Sequence, residues 1–220
     1  MARMAGVLLL DLDNTLADRE AAILSWARAK AAQWAPNQPD AVAFLVKQDA
    51  DGMCPRADFF DLLAERFGLG ESVEALVADF RRELRAALPP LREDVKQGLR
   101  ALRAAGWKIA LVTNGDSDGQ AGKVDQLSLS PFLDACCISG ALGVRKPDPR
   151  IFQIAAARCG QTLAGAWMVG DSEADIVGAH RAGVPNIWLH RGRTWLRDDV
   201  RPHRTVTTLA EALCIVSAGS

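Results

Sequence analysis

The chain has 220 residues, of which 49% are hydrophobic and 24% are charged, with a formal net charge of -1. This size is enough to bury a hydrophobic core, and the composition is typical of globular rather than disordered or fibrous proteins. With almost no net charge, the chain has no overall field that attracts nucleic acid or an anionic membrane, so we expect neither as a partner. The apolar runs are too short for a membrane-spanning helix or a signal peptide, and the five cysteines lack the spacing of a zinc site or a disulfide framework. We therefore expect a cytoplasmic protein with reduced thiols.

The first predicted strand is Val7–Leu10, which reads V-L-L-L and is typical of a strand buried on both faces. Two carboxylates, Asp11 and Asp13, follow it at once. Residues two apart in an extended chain point to the same side, so these carboxylates share a face. Because like charges repel, the pair favours a bound cation or a proton held on one member. The sequence therefore predicts a functional site where this strand ends.

Helices alone are predicted between residues 17 and 89. Asp18 is in position to cap the first helix, and breaks rich in glycine and proline separate the helices. The predicted helices are Ala21–Trp34, Ala41–Gln48, Asp58–Phe67 and Ser72–Leu88. We interpret residues 17–89 as a small all-helical domain inserted into a core made of residues 1–16 and 90–220.

Strands alternate with helices after residue 90. The predicted strands are Trp107–Val112, Ala135–Ser139, Trp167–Val169 and Asn186–Leu189, and the predicted helices are Asp94–Ala105, Ser117–Leu127, Pro149–Arg158, Ala174–Ala182 and Thr208–Ile215. This alternation predicts an α/β fold with a parallel sheet covered by helices on both faces, whose ligands bind at the carboxyl ends of the strands. The arginine-rich stretch 191–204 is predicted to be a solvated loop rather than a nucleic-acid contact.

Polar clusters follow several of these strands. A hydroxyl and successive N–H groups at a strand-to-helix turn can cradle an anion, a lysine beside prolines supplies a fixed positive charge, and further carboxylates suit a cation. Each cluster alone is typical of an ordinary turn or helix cap, but their shared position at strand ends favours one site. The clusters are Thr113-Asn114-Gly115, Lys146 in R-K-P-D-P, and Asp171 with Asp175 in G-D-S-E-A-D.

Four motifs together resemble the haloacid dehalogenase superfamily of phosphohydrolases. They are D-L-D-N-T-L at Asp11–Leu16, T-N-G at Thr113–Gly115, the lysine of R-K-P-D-P, and G-D-S-E-A-D-I at Gly170–Ile176. They occur in the family's order and extend over nearly the whole chain. The resemblance implies a Rossmann-like, three-layer core with the first strand central in the sheet, and it places the helical block where the family carries a mobile cap.

The resemblance also implies a division of labour among the aspartates. Asp11 would be the nucleophile that forms an aspartyl-phosphate, and Asp13 would be the acid for the leaving alcohol and then the base for water. The cofactor would be Mg²⁺, bound by the carboxylates of Asp11 and Asp171 and by the backbone carbonyl of Asp13. The substrate would be a small phosphorylated metabolite.

The remaining motif residues would bind the transferring phosphoryl group. The resemblance assigns this role to Thr113, to the N–H groups of Asn114 and Gly115, and to Lys146, all of which offer hydrogen bonds or positive charge to phosphoryl oxygens. Asp175 would orient Lys146 or a metal-bound water rather than ligate the metal directly.

Several alternatives remain open. Members that cleave carbon–halogen bonds lack an acid two residues after the nucleophile, so Asp13 favours phosphoryl chemistry. A phosphomutase of the β-phosphoglucomutase type keeps both aspartates, and a binding or regulatory module without turnover would keep the fold. In the helical block, Arg56 follows the loop D-G-M-C-P and is a candidate contact for a substrate anion, against the alternative of a solvated side chain.

Overall fold

The computed structural model describes residues 6–218, which form two compact units. The core unit contains the described residues up to Ala17 and those from Pro90 onward, and the helical unit is Asp18–Pro89. Across residues 6–218, no helix combines the length and the apolar character that crossing a membrane requires.

The helical unit contains four helices that pack around aromatic side chains. The Asp18 side chain accepts a hydrogen bond from Ala21 N at 3.2 Å and so caps the first helix, as the sequence predicts. Trp26 packs edge-on against Phe80, with ring centroids 4.8 Å apart. The helices are α1 (Arg19–Trp34), α2 (Ala41–Asp49), α3 (Arg56–Phe67) and α4 (Val73–Ala86), with a 3₁₀ turn at Ala50–Gly52. The assignment of this unit as a cap remains a prediction.

The core unit is built on a six-stranded parallel sheet, which confirms the predicted α/β class. The strands are β1 (Val7–Leu10), β2 (Lys108–Thr113), β3 (Ala135–Ile138), β4 (Trp167–Gly170), β5 (Asn186–Leu189) and β6 (Arg204–Val206). Their order is β3-β2-β1-β4-β5-β6, so β1 lies inside the sheet between β2 and β4. The sequence analysis missed β6, because this three-residue edge strand exposes Arg204 and Thr205 and has little apolar pattern.

Helices flank the sheet, and the core lies between them and the strands. Val7 and Leu9 of β1 pack in one cluster with Phe152, while Leu8, which points to the opposite face, is also fully buried. The helices are α5 (Glu93–Ala104), α6 (Ser117–Gln126), α7 (Ser139–Leu142), α8 (Arg150–Arg158), α9 (Glu173–Arg181) and α10 (Leu209–Ala218). The short helix α7 was not predicted.

The register of the three central strands positions the polar clusters. Leu10 at the end of β1 is opposite Leu111 on β2 and Val169 on β4. Because parallel strands end at the same edge, the residues that follow β1, β2 and β4 meet there.

Candidate active site

The loop after β1 turns sharply and fixes the first two aspartates. Asp11 N donates to Val169 O at 3.0 Å, which extends the pairing of β1 with β4 by one residue. Asn14 adopts a left-handed conformation with φ of 57°, and Ala17 N then donates back to Leu12 O at 2.8 Å. This turn leaves the carboxylate of Asp11 buried and that of Asp13 about a quarter exposed.

Lys146 connects the nucleophile candidate to the fourth motif. Its Nζ lies 2.5 Å from Asp11 Oδ1, 2.6 Å from Asp175 Oδ1 and 2.7 Å from the Val112 carbonyl oxygen. Burial alone would lower the pKa of Lys146, but the charges of Asp11 and Asp175 outweigh it and raise this pKa. Lys146 is therefore a buried ammonium ion held between two carboxylates.

Asp11 has an unusual electrostatic environment. Its burial raises the pKa of its carboxyl group well above the ordinary value, and the nearby charges of Asp175 and Asp171 act in the same direction. Lys146 opposes this shift without cancelling it. Burial is the main cause of the raised pKa and Lys146 offsets only part of it, so a further cation would stabilise the ionised form of Asp11.

Asn114 acts on the main chain of Lys146. Its Nδ2 donates to the Lys146 carbonyl at 2.9 Å, and Lys146 N donates to Asn114 Oδ1 at 2.9 Å. The neighbouring N–H of Gly115 donates to Ser139 Oγ at 3.0 Å. The side chain of Asn114 therefore positions the loop that carries Lys146. Binding of a phosphoryl group by the main-chain N–H groups of Asn114 and Gly115 stays a prediction.

Asp175 belongs to the first turn of α9 and also contacts Lys146. Its Oδ2 accepts hydrogen bonds from Ser172 N at 3.0 Å and from Ser172 Oγ at 2.7 Å, while Ser172 in turn caps α9. Its other oxygen is the one that contacts Lys146. The capping box thus uses Oδ2 and the ion pair with Lys146 uses Oδ1, so both oxygens of Asp175 are engaged.

Asp11, Asp171 and Asp175 are buried and each offers one carboxylate oxygen that lies within 4.8 Å of the other two. Carboxylate oxygens are hard donors of the kind that Mg²⁺ prefers, so this donor set fits the ion that the resemblance implies. Because Asp175 is engaged by Ser172 and Lys146, Asp11 and Asp171 are the carboxylates that we expect to hold it.

Two site residues on α6 were missed by the sequence analysis. Lys123 Nζ lies 2.6 Å from Asp13 Oδ1 and 2.7 Å from Asp13 Oδ2, so both oxygens contact one ammonium. Gln120 Nε2 lies 2.5 Å from Thr113 Oγ1 and 3.1 Å from Asp13 Oδ2. Because they are three residues apart, both side chains lie on one face of a helix that starts just after T-N-G. This spacing is the feature of the sequence that could have indicated them as site residues.

The loop after β5 also contacts the site. The prediction that the arginine-rich stretch 191–204 is only a solvated loop is therefore wrong for Arg193. Arg193 Nη2 donates to Asp171 Oδ2 at 2.7 Å and to the Asp171 carbonyl at 2.8 Å. Trp188 on β5 donates from Nε1 to the same carbonyl at 2.8 Å. Asp171 is thus held by both its main chain and its side chain.

Arg56, the candidate substrate contact, is engaged within the helical unit. Its Nη1 donates to Asp49 Oδ1 at 2.8 Å and its Nη2 donates to the Cys54 carbonyl at 2.8 Å. The guanidinium lies over the rings of Phe59 and Phe80, at 5.1 Å and 5.3 Å from their centroids. It is therefore not a freely solvated side chain, and a contact with substrate stays a prediction.

A family model of the haloacid dehalogenase-like hydrolases matches residues 6–183, which is most of the chain. The chain belongs to the haloacid dehalogenase-like hydrolases. The phosphoserine phosphatase of Thermus thermophilus is 37% identical over 135 residues, or 61% of this chain and 53% of that protein. The glyceraldehyde 3-phosphate phosphatase of Methanopyrus kandleri is 38% identical over 138 residues, or 61% of this chain and 59% of that protein. The chain thus aligns with little more than half the length of either relative.

Solved structures of this family share the fold. The haloacid dehalogenase-like hydrolase YfnB of Bacillus subtilis, described as bound to magnesium, superposes with a TM-score of 0.78. The alignment covers 97% of this chain and 99% of that one at 23% identity.

Proposed function

We propose that this haloacid dehalogenase-like hydrolase is a magnesium-dependent phosphatase that hydrolyses small phosphate monoesters through an aspartyl-phosphate. One observation carries the proposal: Asp11 and Asp13 follow the central strand, and a different lysine contacts each of them, Lys146 at 2.5 Å and Lys123 at 2.6 Å. The two carboxylates therefore have separate environments, as a nucleophile and a proton-transfer group require.

In the first step, a carboxylate oxygen of Asp11 attacks phosphorus and the bond from phosphorus to the ester oxygen breaks. The departing alkoxide takes a proton from the carboxyl group of Asp13 and leaves as an alcohol. Lys146 and Thr113, at the adjacent strand end, stabilise the charge that grows on the phosphoryl oxygens. Magnesium held by Asp11 and Asp171 would supply further positive charge to the same oxygens.

In the second step, a water molecule gives a proton to the Asp13 carboxylate, and its oxygen attacks phosphorus. The bond from phosphorus to Asp11 breaks, which releases inorganic phosphate and restores both carboxyl groups to their starting forms. Lys123 contacts both oxygens of Asp13 and so holds this carboxylate in place for the proton transfer.

The relatives support the substrate class. Their printed names describe phosphatases of phosphoserine and of glyceraldehyde 3-phosphate, which are both small phosphate monoesters. The magnesium described for the Bacillus subtilis hydrolase supports the choice of metal.

The test is phosphate release from a panel of phosphate monoesters, with Mg²⁺ or with EDTA. We expect release with Mg²⁺ and its loss with EDTA. Asp11→Asn removes the nucleophile and should lower the rate by about 10³-fold or more. The matched control is Asp199→Asn, which changes an exposed aspartate paired with Arg197 and should leave the rate unchanged.

Two outcomes would contradict this proposal. Undiminished phosphate release by Asp11→Asn would show that the reaction does not pass through an aspartyl-phosphate at Asp11. Isomerisation of a sugar phosphate much faster than phosphate release would indicate a phosphomutase, since transfer back to substrate would then outcompete water.

A further inference from the structure

Among residues 6–218, the carboxylates at the strand ends form close ion pairs with two lysines and an arginine. The pairs are Lys146 with Asp11 and Asp175, Lys123 with Asp13, and Arg193 with Asp171. All of these contacts are between 2.5 and 2.7 Å, so by distance they are equally close.

The three cations differ in how firmly the protein holds them. The side chains of Lys146 and Lys123 are 2% and 10% exposed, whereas that of Arg193 is 43% exposed. Moving either lysine would carry a buried charge out through packed side chains. Arg193 belongs to the loop that follows β5, and its guanidinium also donates to the main-chain carbonyls of Asp171 at 2.8 Å and His190 at 3.3 Å. Of the three cations it is the most exposed to water, so its displacement does not bring a buried charge through the core.

Asp171 remains in place without its arginine. Its main-chain carbonyl accepts a hydrogen bond from Trp188 Nε1 at 2.8 Å, and the residue directly follows β4. Its side chain is only 6% exposed, and a buried carboxylate is costly unless a cation or hydrogen-bond donors neutralise it. Departure of Arg193 would therefore leave a fixed carboxylate that favours another cation.

We propose that Arg193 is an exchangeable counterion of Asp171 that a divalent cation displaces. The inference rests on the proposed function, in which Asp171 holds Mg²⁺. The guanidinium stabilises Asp171 without metal, and because it binds the same carboxylate, it weakens the affinity for Mg²⁺. Arg193 is thus a residue that sets metal affinity and takes no direct part in phosphoryl transfer.

Calorimetric titration of the full chain with MgCl₂, without substrate, tests this inference. Arg193→Ala removes the competitor, so we expect it to bind Mg²⁺ about three- to tenfold more tightly than the unaltered protein. Arg193→Gln removes the charge but keeps a hydrogen-bond donor, and it should shift the affinity in the same direction.

The matched control is Arg197→Ala, four residues further along the same loop. Arg197 pairs with Asp199 at 2.6 Å and with Glu173 at 3.6 Å, and its side chain is 36% exposed. Its removal changes the net charge by the same amount, so it measures the general electrostatic effect on metal affinity. We expect its affinity for Mg²⁺ to stay within twofold of that of the unaltered protein.

Thermal unfolding gives a second readout. Without Mg²⁺, Arg193→Ala should unfold at a lower temperature, because the ion pair between Arg193 and Asp171 is lost. A ligand stabilises the folded state in proportion to the logarithm of its concentration over its dissociation constant, so saturating Mg²⁺ should raise Tm more in this variant than in the unaltered protein.

The outcomes separate this inference from the proposed function. Equal or weaker Mg²⁺ binding by Arg193→Ala and Arg193→Gln, relative to Arg197→Ala, would overturn the counterion role while metal-dependent phosphate release still stands. Absence of Mg²⁺ binding to the unaltered protein and to Arg193→Ala alike would overturn the counterion role together with the magnesium site.

Discussion

Asp11 in the core unit and Asp49 in the helical unit are both almost completely buried and both contact cations, yet their pKa values shift in opposite directions. Burial raises the pKa of Asp11, and Lys146 does not compensate. Burial also favours a higher pKa for Asp49, but Arg19 and Arg56 outweigh it and hold the pKa below its ordinary value.

The difference lies in how the cations are shared. Asp49 accepts from Arg19 at 2.7 Å and 2.8 Å and from Arg56 at 2.8 Å, so two guanidinium groups serve one carboxylate. Asp11 shares one ammonium with Asp175. The first arrangement neutralises its carboxylate and stabilises a fold, whereas the second leaves negative charge that suits a metal ion and a reacting carboxylate.

The largest predicted effect is that of Lys146→Met. This change leaves two buried carboxylates without their shared cation, and breaking a buried pair in this way costs about 3–5 kcal/mol. We expect the free energy of unfolding, measured in urea, to fall by that amount and phosphate release to be lost. The control is Arg145→Met at the adjacent exposed position, which should change stability by less than about 0.5 kcal/mol.

A smaller effect is expected for Arg56→Met, because Arg19 still neutralises Asp49. Loss of a charged hydrogen bond to a buried carboxylate should cost about 1–3 kcal/mol in the same urea experiment. The KM for the substrate should not change if Arg56 serves only Asp49. A higher KM at unchanged kcat would show that it also binds the substrate, and a loss as large as that of Lys146→Met would contradict the comparison of the two clusters.

The smallest expected change is in the pH dependence of the stability that Asp49 contributes. Because the pKa of Asp49 is lower in the folded than in the unfolded protein, its stabilisation is complete above the unfolded pKa of about 3.9 and is lost as the pH falls through the folded value. Urea unfolding of the unaltered protein and of Asp49→Asn should therefore differ most near pH 6 and progressively less below about pH 4. A difference independent of pH would show that the charge of Asp49 contributes nothing.

The strands that carry the motifs could be predicted because their physical signals are local. Four apolar residues at Val7–Leu10 are followed by acidic residues, and the strands before Thr113 and Asp171 show the same change from apolar to polar. The edge strand β6 and the helix α7 have no such signal, because their residues gain their conformation from neighbouring elements.

The partners of the motif residues could not be predicted in the same way. Gln120 and Lys123 resemble any polar residues on a helix, and Arg193 resembles any arginine in a polar loop. Only the packing of α6 and of the loop after β5 places them against Asp13 and Asp171. Asn114 shows a related limit, because its side chain, which the sequence analysis did not place, binds the main chain of Lys146.

That pairing of Asn114 with residue 146 has a consequence for protein engineering. Both hydrogen bonds use main-chain atoms of residue 146, so they do not depend on its side chain. A substitution such as Lys146→Met therefore removes the ammonium group without removing the hydrogen bonds that hold the loop. Such a variant separates the effect of the missing charge beside Asp11 from the effect of a displaced loop.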